Sequence, residues 1–276
     1  MDLTRRLPPK LVEQAKAFAS GETEPATPRD AATVVLLRSA SEAPGGVEVY
    51  LLRRHLGMDF ARGMYVFPGG GVDARDEDDS LRWAGPPATD WAERLSCTES
   101  LARALVCAAV RETFEESGVL LAGPTPDTVV DDTTGEDWER DRSALVEREL
   151  SFAEFLHRRD LVLRADLLAA WTHWVTPVFE PKRFDTRFFV AALPPGQVTR
   201  DVSTESDTVT WASPEQATGS VDEGSMRMLP PTYVTLMDMA GIATPEEALR
   251  VAPQRQIRPI QPFMRFDESG AVLAVE

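Results

Sequence analysis

The sequence predicts an α/β layered domain. Three observations carry this: several apolar runs of strand length, one long helix with a start signal and a glycine stop, and no internal repeat or low-complexity tract. With 276 residues, 43% of them hydrophobic, the chain is long enough for one elaborated core.

A helix is expected over 9–20, followed by an extended lead-in, GETEPATPR (21–29). AATVVLLR (31–38) and VEVYLLR (47–53) flank an Ala-Pro-Gly-Gly turn and read as a hairpin. MYVF (64–67) is a third strand, ended by Pro68 and the glycines Gly69, Gly70 and Gly71. Residues 72–95 turn acidic, Pro-containing and Trp-bearing, which predicts a surface insertion outside the core. Ser96-Cys97-Thr98-Glu99 fits a capping box, the helix it opens runs to Ser117, and Gly118 supplies the left-handed stop. Val119 to Leu121 begins a short strand, and 127–166 reads as a second insertion with one or two amphipathic surface helices. Strands at 171–176, 187–193 and 209–211 and helices at 230–240 and 245–251 complete the chain. The expected division is an N-terminal helix and lead-in (1–30), a catalytic-type domain (31–215) and a C-terminal extension packed on it (216–276). Cys97 and Cys107, read on one helix about 15 Å apart, are too distant for a disulfide.

The 45 acidic against 29 basic residues, a net charge of −16, exclude a nucleic-acid partner, whose phosphates are held by Lys and Arg. No run approaches the 18 to 20 apolar residues of a membrane span, and the first 21 residues lack a signal-peptide pattern, so a cytoplasmic protein is expected. His55, His157 and His173 show no zinc spacing, no G-x-S-x-G elbow exists, and no G-K-[ST] follows the glycines.

The chemistry concentrates in RETFEESGVL, 111–120. At about 100° per residue Glu112, Glu115 and Glu116 share one helix face and extend an apolar stripe of Leu101, Leu105 and Ala108. A solvated acidic face is the plain alternative. Half-buried, however, three carboxylates repel one another, lose hydration and sit at the unfavourable end of the helix dipole. Arg111 supplies one counter-charge. A hard divalent cation, Mg²⁺ or Mn²⁺, supplies two and accepts several oxygen ligands at once. The side-chain-free turn at 69–71 lets a backbone carbonyl or a phosphate approach the same place.

Arg111-Glu112-Thr113-Phe114-Glu115-Glu116-Ser117-Gly118-Val119 resembles the second half of the Nudix box, G-x5-E-x7-R-E-U-x-E-E-x-G-U with U apolar, except that Thr113 stands at an apolar position. Through DFARGMYVFPGGGVD, AAVRETFEESGVLL and WVTPVFEPKRFDTRFFVAALP the chain is similar to the Nudix branch with an interrupted box. That branch includes the peroxisomal and mitochondrial-type coenzyme A diphosphatases. Gly70 and Arg111 lie 41 positions apart where the uninterrupted box has 14, an insertion of about 27. The uninterrupted spacing puts Arg103 at the first glutamate, and Glu77 or Glu99 is left as its replacement.

The resemblance implies an α/β/α sandwich with a mixed central sheet and a hydrolase that cleaves a diphosphate linked to a nucleoside, dependent on Mg²⁺ or Mn²⁺. It implies that Glu112, Glu115, Glu116 and a Gly69–Gly70 carbonyl hold the metal, that Arg111 orients a glutamate, and that Glu205 is a further ligand or base. Coenzyme A or an acyl derivative is the leading substrate, giving 3′,5′-ADP and (acyl-)phosphopantetheine. Another nucleotide such as NADH, ADP-ribose or a nucleoside triphosphate is the alternative, and a nucleotide-binding regulator without turnover is the rival class. Nudix proteins are often dimers, so a homodimer through the C-terminal extension is expected. Arg53, Arg54, Arg183 and Arg187 are candidates for phosphate contacts, with rim ion pairs as the competing reading, while Trp171, Trp174, Phe188 and Phe189 read as core.

Overall fold

The computed structural model describes residues 9–57, 61–267 and 270–275. The first eight residues of the expected lead-in, 58–60 of the family-like segment, and 268, 269 and 276 of the C-terminal extension lie outside the described residues. Helix α1 (Pro9–Ala19) precedes strands β1 (Arg29–Ser39), β2 (Val47–Arg54), β3 (Tyr65–Val66) and β4 (Gly69–Gly71). A 3-10 turn (Ala74–Glu77), β5 (Trp83–Ala84) and α2 (Ala88–Leu95) lead into the long helix α3 (Glu99–Ser117). Then come β6 (Ala122–Gly123), α4 (Glu136–Val146), α5 (Phe152–Arg158), β7 (Val162–Arg164), β8 (Ala169–Val175), β9 (Phe184–Ala192) and β10 (Ser206–Ala212). The chain closes with α6 (Pro214–Asp222), α7 (Pro230–Met239), α8 (Pro245–Val251), β11 (Pro259–Ile260) and the hairpin β12 (Phe263–Asp267) and β13 (Gly270–Ala274).

The main sheet runs β10-β2-β1-β9-β8-β11, with β3 on β2 and β4 on β1. β1 pairs antiparallel with β2, as the turn between them requires, and parallel with β9, so the sheet is mixed. Alternation along β1 sorts the two faces. Val34 and Leu36 point into a core with Leu105, Ala109 and Phe114 of α3. Val35 and Leu37 point the other way, against Ala217, Leu236, Met239 and Ala248 of α6, α7 and α8. The result is the α/β/α sandwich, and α6 to α8 of the C-terminal region form its second helical layer.

The region 72–95 differs from the expected surface insertion. Leu81, Trp91 and Leu95 are buried in the α3-side core, and Trp91 meets Phe189 edge-on with ring centres 5.7 Å apart. Polar residues there cover one side of an amphipathic helix whose other side is core, and the overall acidity of the segment masks that pattern. Helix α3 is capped by Thr98, whose hydroxyl accepts the Leu101 N–H, with no part played by Ser96. Ser96 instead ends α2 in the left-handed conformation (φ 53°), so Cys97 lies in the turn between the two helices. Both cysteines are free.

Candidate active site

Three sequence features converge at the C-terminal end of α3. β4 pairs with β1 in the register Thr33↔Gly69 and Ala31↔Gly71, which lays the glycine strand across the last turns of the helix. Glu116 accepts the Gly69 N–H at 2.8 Å. A Cβ added to Gly70 would lie 2.5 to 2.6 Å from the Glu112 carboxylate, so only glycine leaves that carboxylate its space. The glycine turn and the glutamates are therefore one construction.

Arg111 fills the other side. Its guanidinium reaches Glu112 at 2.6 Å, Glu115 at 3.3 Å and the Gly71 carbonyl at 3.0 Å. It also forks onto both oxygens of Asp76 at 2.9 and 3.0 Å, and Asp76 is 2% exposed. Asp76 in turn accepts the Asp73 N–H at 2.8 Å, closing the capping box of the 3-10 turn. Burial alone would lower the Arg111 pKa, but Glu112, Asp76 and Glu115 more than offset this and hold the charge in place.

Asp76 is the residue the sequence reading missed. Neither Glu77 nor Glu99 meets Arg111; Glu77 instead accepts a hydrogen bond from Ser100 at 2.9 Å. The signal was present. Counted from Gly70, the G-x5-E spacing lands on position 76, whereas Glu77 follows from counting at Gly71.

One guanidinium cannot neutralise the group. Burial raises the carboxyl pKa of Glu112 to about 7 even against Arg111, and Glu115 shifts the same way from burial first. Glu116 is raised well above its ordinary value, through burial and then the neighbouring Glu112 and Glu205 charges, with the Gly69 N–H opposing. The helix end they occupy is relieved from outside α3. Arg142 of α4 donates to the Glu115 carbonyl at 2.6 Å, and Arg200 crosses Gly118, where a Cβ would meet its guanidinium at 2.8 Å.

The three glutamates, Arg111, Asp76 and the glycine strand line a cleft of about 660 Å³, within the range of small-molecule sites. Glu205 and Arg54 also border it and pair with each other at 2.8 Å. The other arginine candidates are elsewhere. Arg53 pairs with Asp207 at 2.6 Å away from the cleft, because successive residues of a strand point to opposite faces. Arg183 is buried and donates to the Thr176 and Ala26 carbonyls, which ties the lead-in to the strands. Arg187 is buried between Asp30 and Asp185, and Asp185 also accepts from His173. All three serve the fold rather than lining the cleft. Trp171 and Phe189 are core, as expected; Trp174 and Phe188 are equally buried but also border the cleft.

Among the described residues no three His, Cys, Asp or Glu side chains already stand as a metal-ligand group, since the glutamates are turned onto Arg111 and the Gly69 N–H. The donor set nonetheless suits a hard cation. It consists only of oxygens, it has more carboxylates than counter-charges, and the Gly70 notch keeps the space beside Glu112 free of side chain. No described helix is long and apolar enough to cross a membrane.

A mixed sheet between two helical layers, with glutamates packed under a glycine strand, defines a Nudix hydrolase fold. The chain belongs to the NUDT19 Nudix domain family, whose profile matches residues 88–239, more than half its length. It is 24% identical over 251 residues to the acyl-coenzyme A diphosphatase NUDT19 of Xenopus laevis, covering 79% of this chain and 66% of that one. To the proteins of the same name from Gallus gallus and Homo sapiens it is 26% and 28% identical, covering 83% and 72% of this chain. It thus spans 66%, 72% and 62% of the length of these three relatives. A Nudix hydrolase crystal structure from Alicyclobacillus acidocaldarius superposes with a TM-score of 0.67 at 26% identity, covering 82% of this chain and 96% of the other.

Proposed function

We propose that this chain is a metal-dependent diphosphatase acting on coenzyme A or an acyl-coenzyme A, releasing 3′,5′-ADP and (acyl-)phosphopantetheine. The observation that carries the reading is the carboxylate excess at Glu112, Glu115 and Glu116, built against a glycine strand in a substrate-sized cleft. The relatives' names supply the substrate class.

Glu112, Glu115 and Glu116, with the Gly70 carbonyl, would hold Mg²⁺ or Mn²⁺. The ion supplies charge neutralisation of the diphosphate and acidification of a water molecule. Arg111, pinned by Asp76, keeps Glu112 and Glu115 in orientation. Glu205, half-exposed at the cleft wall and paired with Arg54, would accept a proton from the attacking water.

The test is turnover of a panel of coenzyme A, acyl-coenzyme A, NADH, ADP-ribose and nucleoside triphosphates with Mg²⁺ and Mn²⁺, read by product mass. Coenzyme A species should give the highest kcat/KM. Undiminished turnover in Glu116→Gln would remove that residue from the reaction, and nucleotide binding with no turnover of any compound would leave the regulator as the answer.

A further inference from the structure

We infer that Arg148 is a substrate-phosphate contact on the wall of the cleft, a role that rests on the diphosphatase reading above. Six cationic side chains line that cleft. Three are committed: Arg54 to Glu205, Arg75 to Asp73, and Arg111 to Asp76 and the glutamates. Lys182 sits 5.7 Å from the Phe184 ring centre, at the β9 end of the cleft. Arg29 and Arg148 have no side-chain ion pair or hydrogen bond among the described residues; Arg29 opens β1, the strand that pairs with the glycines, and Arg148 stands by the 3-10 turn that follows them. Its charge is felt by Asp73, and its carbonyl accepts Arg75 Nη1 at 3.2 Å.

The backbone supplies the second argument. Arg148 has φ 60° in the turn that ends α4, where the Glu149 and Leu150 N–H groups reach back to Ala144. That left-handed position is where glycine is favoured, and a long side chain there is strained. The Arg148 guanidinium makes no ion pair or hydrogen bond among the described residues that offsets this backbone strain. Loop 147–149 is instead fastened through its backbone, by Arg75, so that an exposed, unpaired guanidinium stands on the cleft wall. In a chain of net charge −16 such a group is what an incoming phosphate would meet. A guanidinium matches a phosphate's oxygens with two parallel donors.

Arg148→Gly separates this role from a structural one, because glycine relieves the strain while removing the contact. In the full chain we expect a higher Tm, KM for coenzyme A raised about tenfold, kcat within twofold, and ADP binding by calorimetry weakened about tenfold. Arg148→Lys, which keeps charge but not the fork, should fall between the two. KM and ADP affinity both within twofold of the parent in Arg148→Gly would overturn the inference, as would a lower Tm accompanied by a loss of kcat, which is the signature of a structural residue. If the parent turns over no diphosphate but binds ADP, the ADP ratio decides the matter and only the catalytic reading falls. A parent that neither turns over a diphosphate nor binds ADP overturns both.

Discussion

Two charge networks, one lining this cleft and one touching it through Asp30, carry different acidic loads. Around Arg187 one guanidinium faces Asp30 and Asp185, and His173 adds a hydrogen bond to Asp185. Burial raises the Asp185 pKa on its own, but the His173 hydrogen bond and Arg187 more than reverse it, so that carboxylate is held low, while burial raises the partly exposed Asp30 against Arg187. Around Arg111 the count is one guanidinium against Asp76, Glu112, Glu115 and Glu116, and the three glutamates are pushed up. A guanidinium with two partly exposed carboxylates holds a fold together, whereas three buried glutamates and Asp76 gathered on one guanidinium are stable only if something else brings positive charge. The difference separates structure from chemistry more sharply than burial or residue type does.

The widest separation should come from neutralising one member of each network. Glu116→Gln is expected to lower kcat on the order of 100-fold or more while leaving thermal stability unchanged or raised, because it removes a buried charge that is already in excess. Arg187→Met should do the reverse, costing about 3 to 5 kcal/mol as Asp30 and Asp185 lose their partner, with kcat of the folded protein within about twofold. Denaturant titration beside steady-state kinetics reads both. Equal stability losses in the two variants would show that the networks are not different in kind.

Asp76 links the chemistry to the fold, so its variant should mix the two effects. Asp76→Asn leaves the 3-10 turn one charge short and frees Arg111 from its fork. A 10- to 100-fold loss of activity is expected, as for other groups that orient a ligand-bearing side chain. Restoration by Asp76→Glu, the residue type common at this point of the motif, would show that the carboxylate itself is what matters.

These cases also show how far the sequence could be read. The Arg111 to Val119 run and the glycines were legible because both encode local geometry: a helix face, a glycine stop, a turn without side chains. β1, β2, β8 and β9 followed from apolar runs, and α8 from its proline start. Asp76 hid behind an insertion that shifts the spacing by one residue depending on which glycine begins the count. Arg183 and Arg187 were candidates for phosphate contacts because, in so acidic a chain, local positive groups are what an anion would meet. Their partners, the Ala26 carbonyl and Asp30, arrive from over 150 positions away, and no local pattern announces them. Helix α2 was lost for a related reason, since its Trp91 and Leu95 are too few to stand out from acidic neighbours.

A smaller effect sharpens the same contrast through pH. In the protein without metal, the glutamate cluster holds protons that the unfolded chain releases near pH 4.5, and Glu112 keeps its proton up to about pH 7. Its folded-state pKa is raised, so the cluster's contribution to stability is present at low pH and is lost as pH rises through that window. A divalent cation replaces those protons. Adding Mg²⁺ or Mn²⁺ should therefore raise Tm by a few degrees at pH 8 and by little at pH 5, measured by calorimetry with a chelator control. Glu116→Gln should shrink this metal dependence to that of the two glutamates it leaves, whereas Arg187→Met should leave it unchanged.

The least effect belongs to the one departure from the family pattern, Thr113. An apolar residue is usual there, and Thr113 is fully buried on the core side of α3 while its neighbours Glu112 and Glu116 face the cleft. Its hydroxyl donates to the Ala109 carbonyl one turn back at 2.7 Å, a carbonyl that the helix already uses. The hydroxyl is thus satisfied without any partner outside the helix, and it can be exchanged for a methyl group of similar shape without orphaning another polar atom. Thr113→Val should accordingly change stability by less than about 1 kcal/mol and leave kcat and KM alone. A large loss of activity in this variant would mean that the hydroxyl reaches the carboxylates through a route other than packing, and the line drawn between the chemical face of α3 and its structural face would have to move.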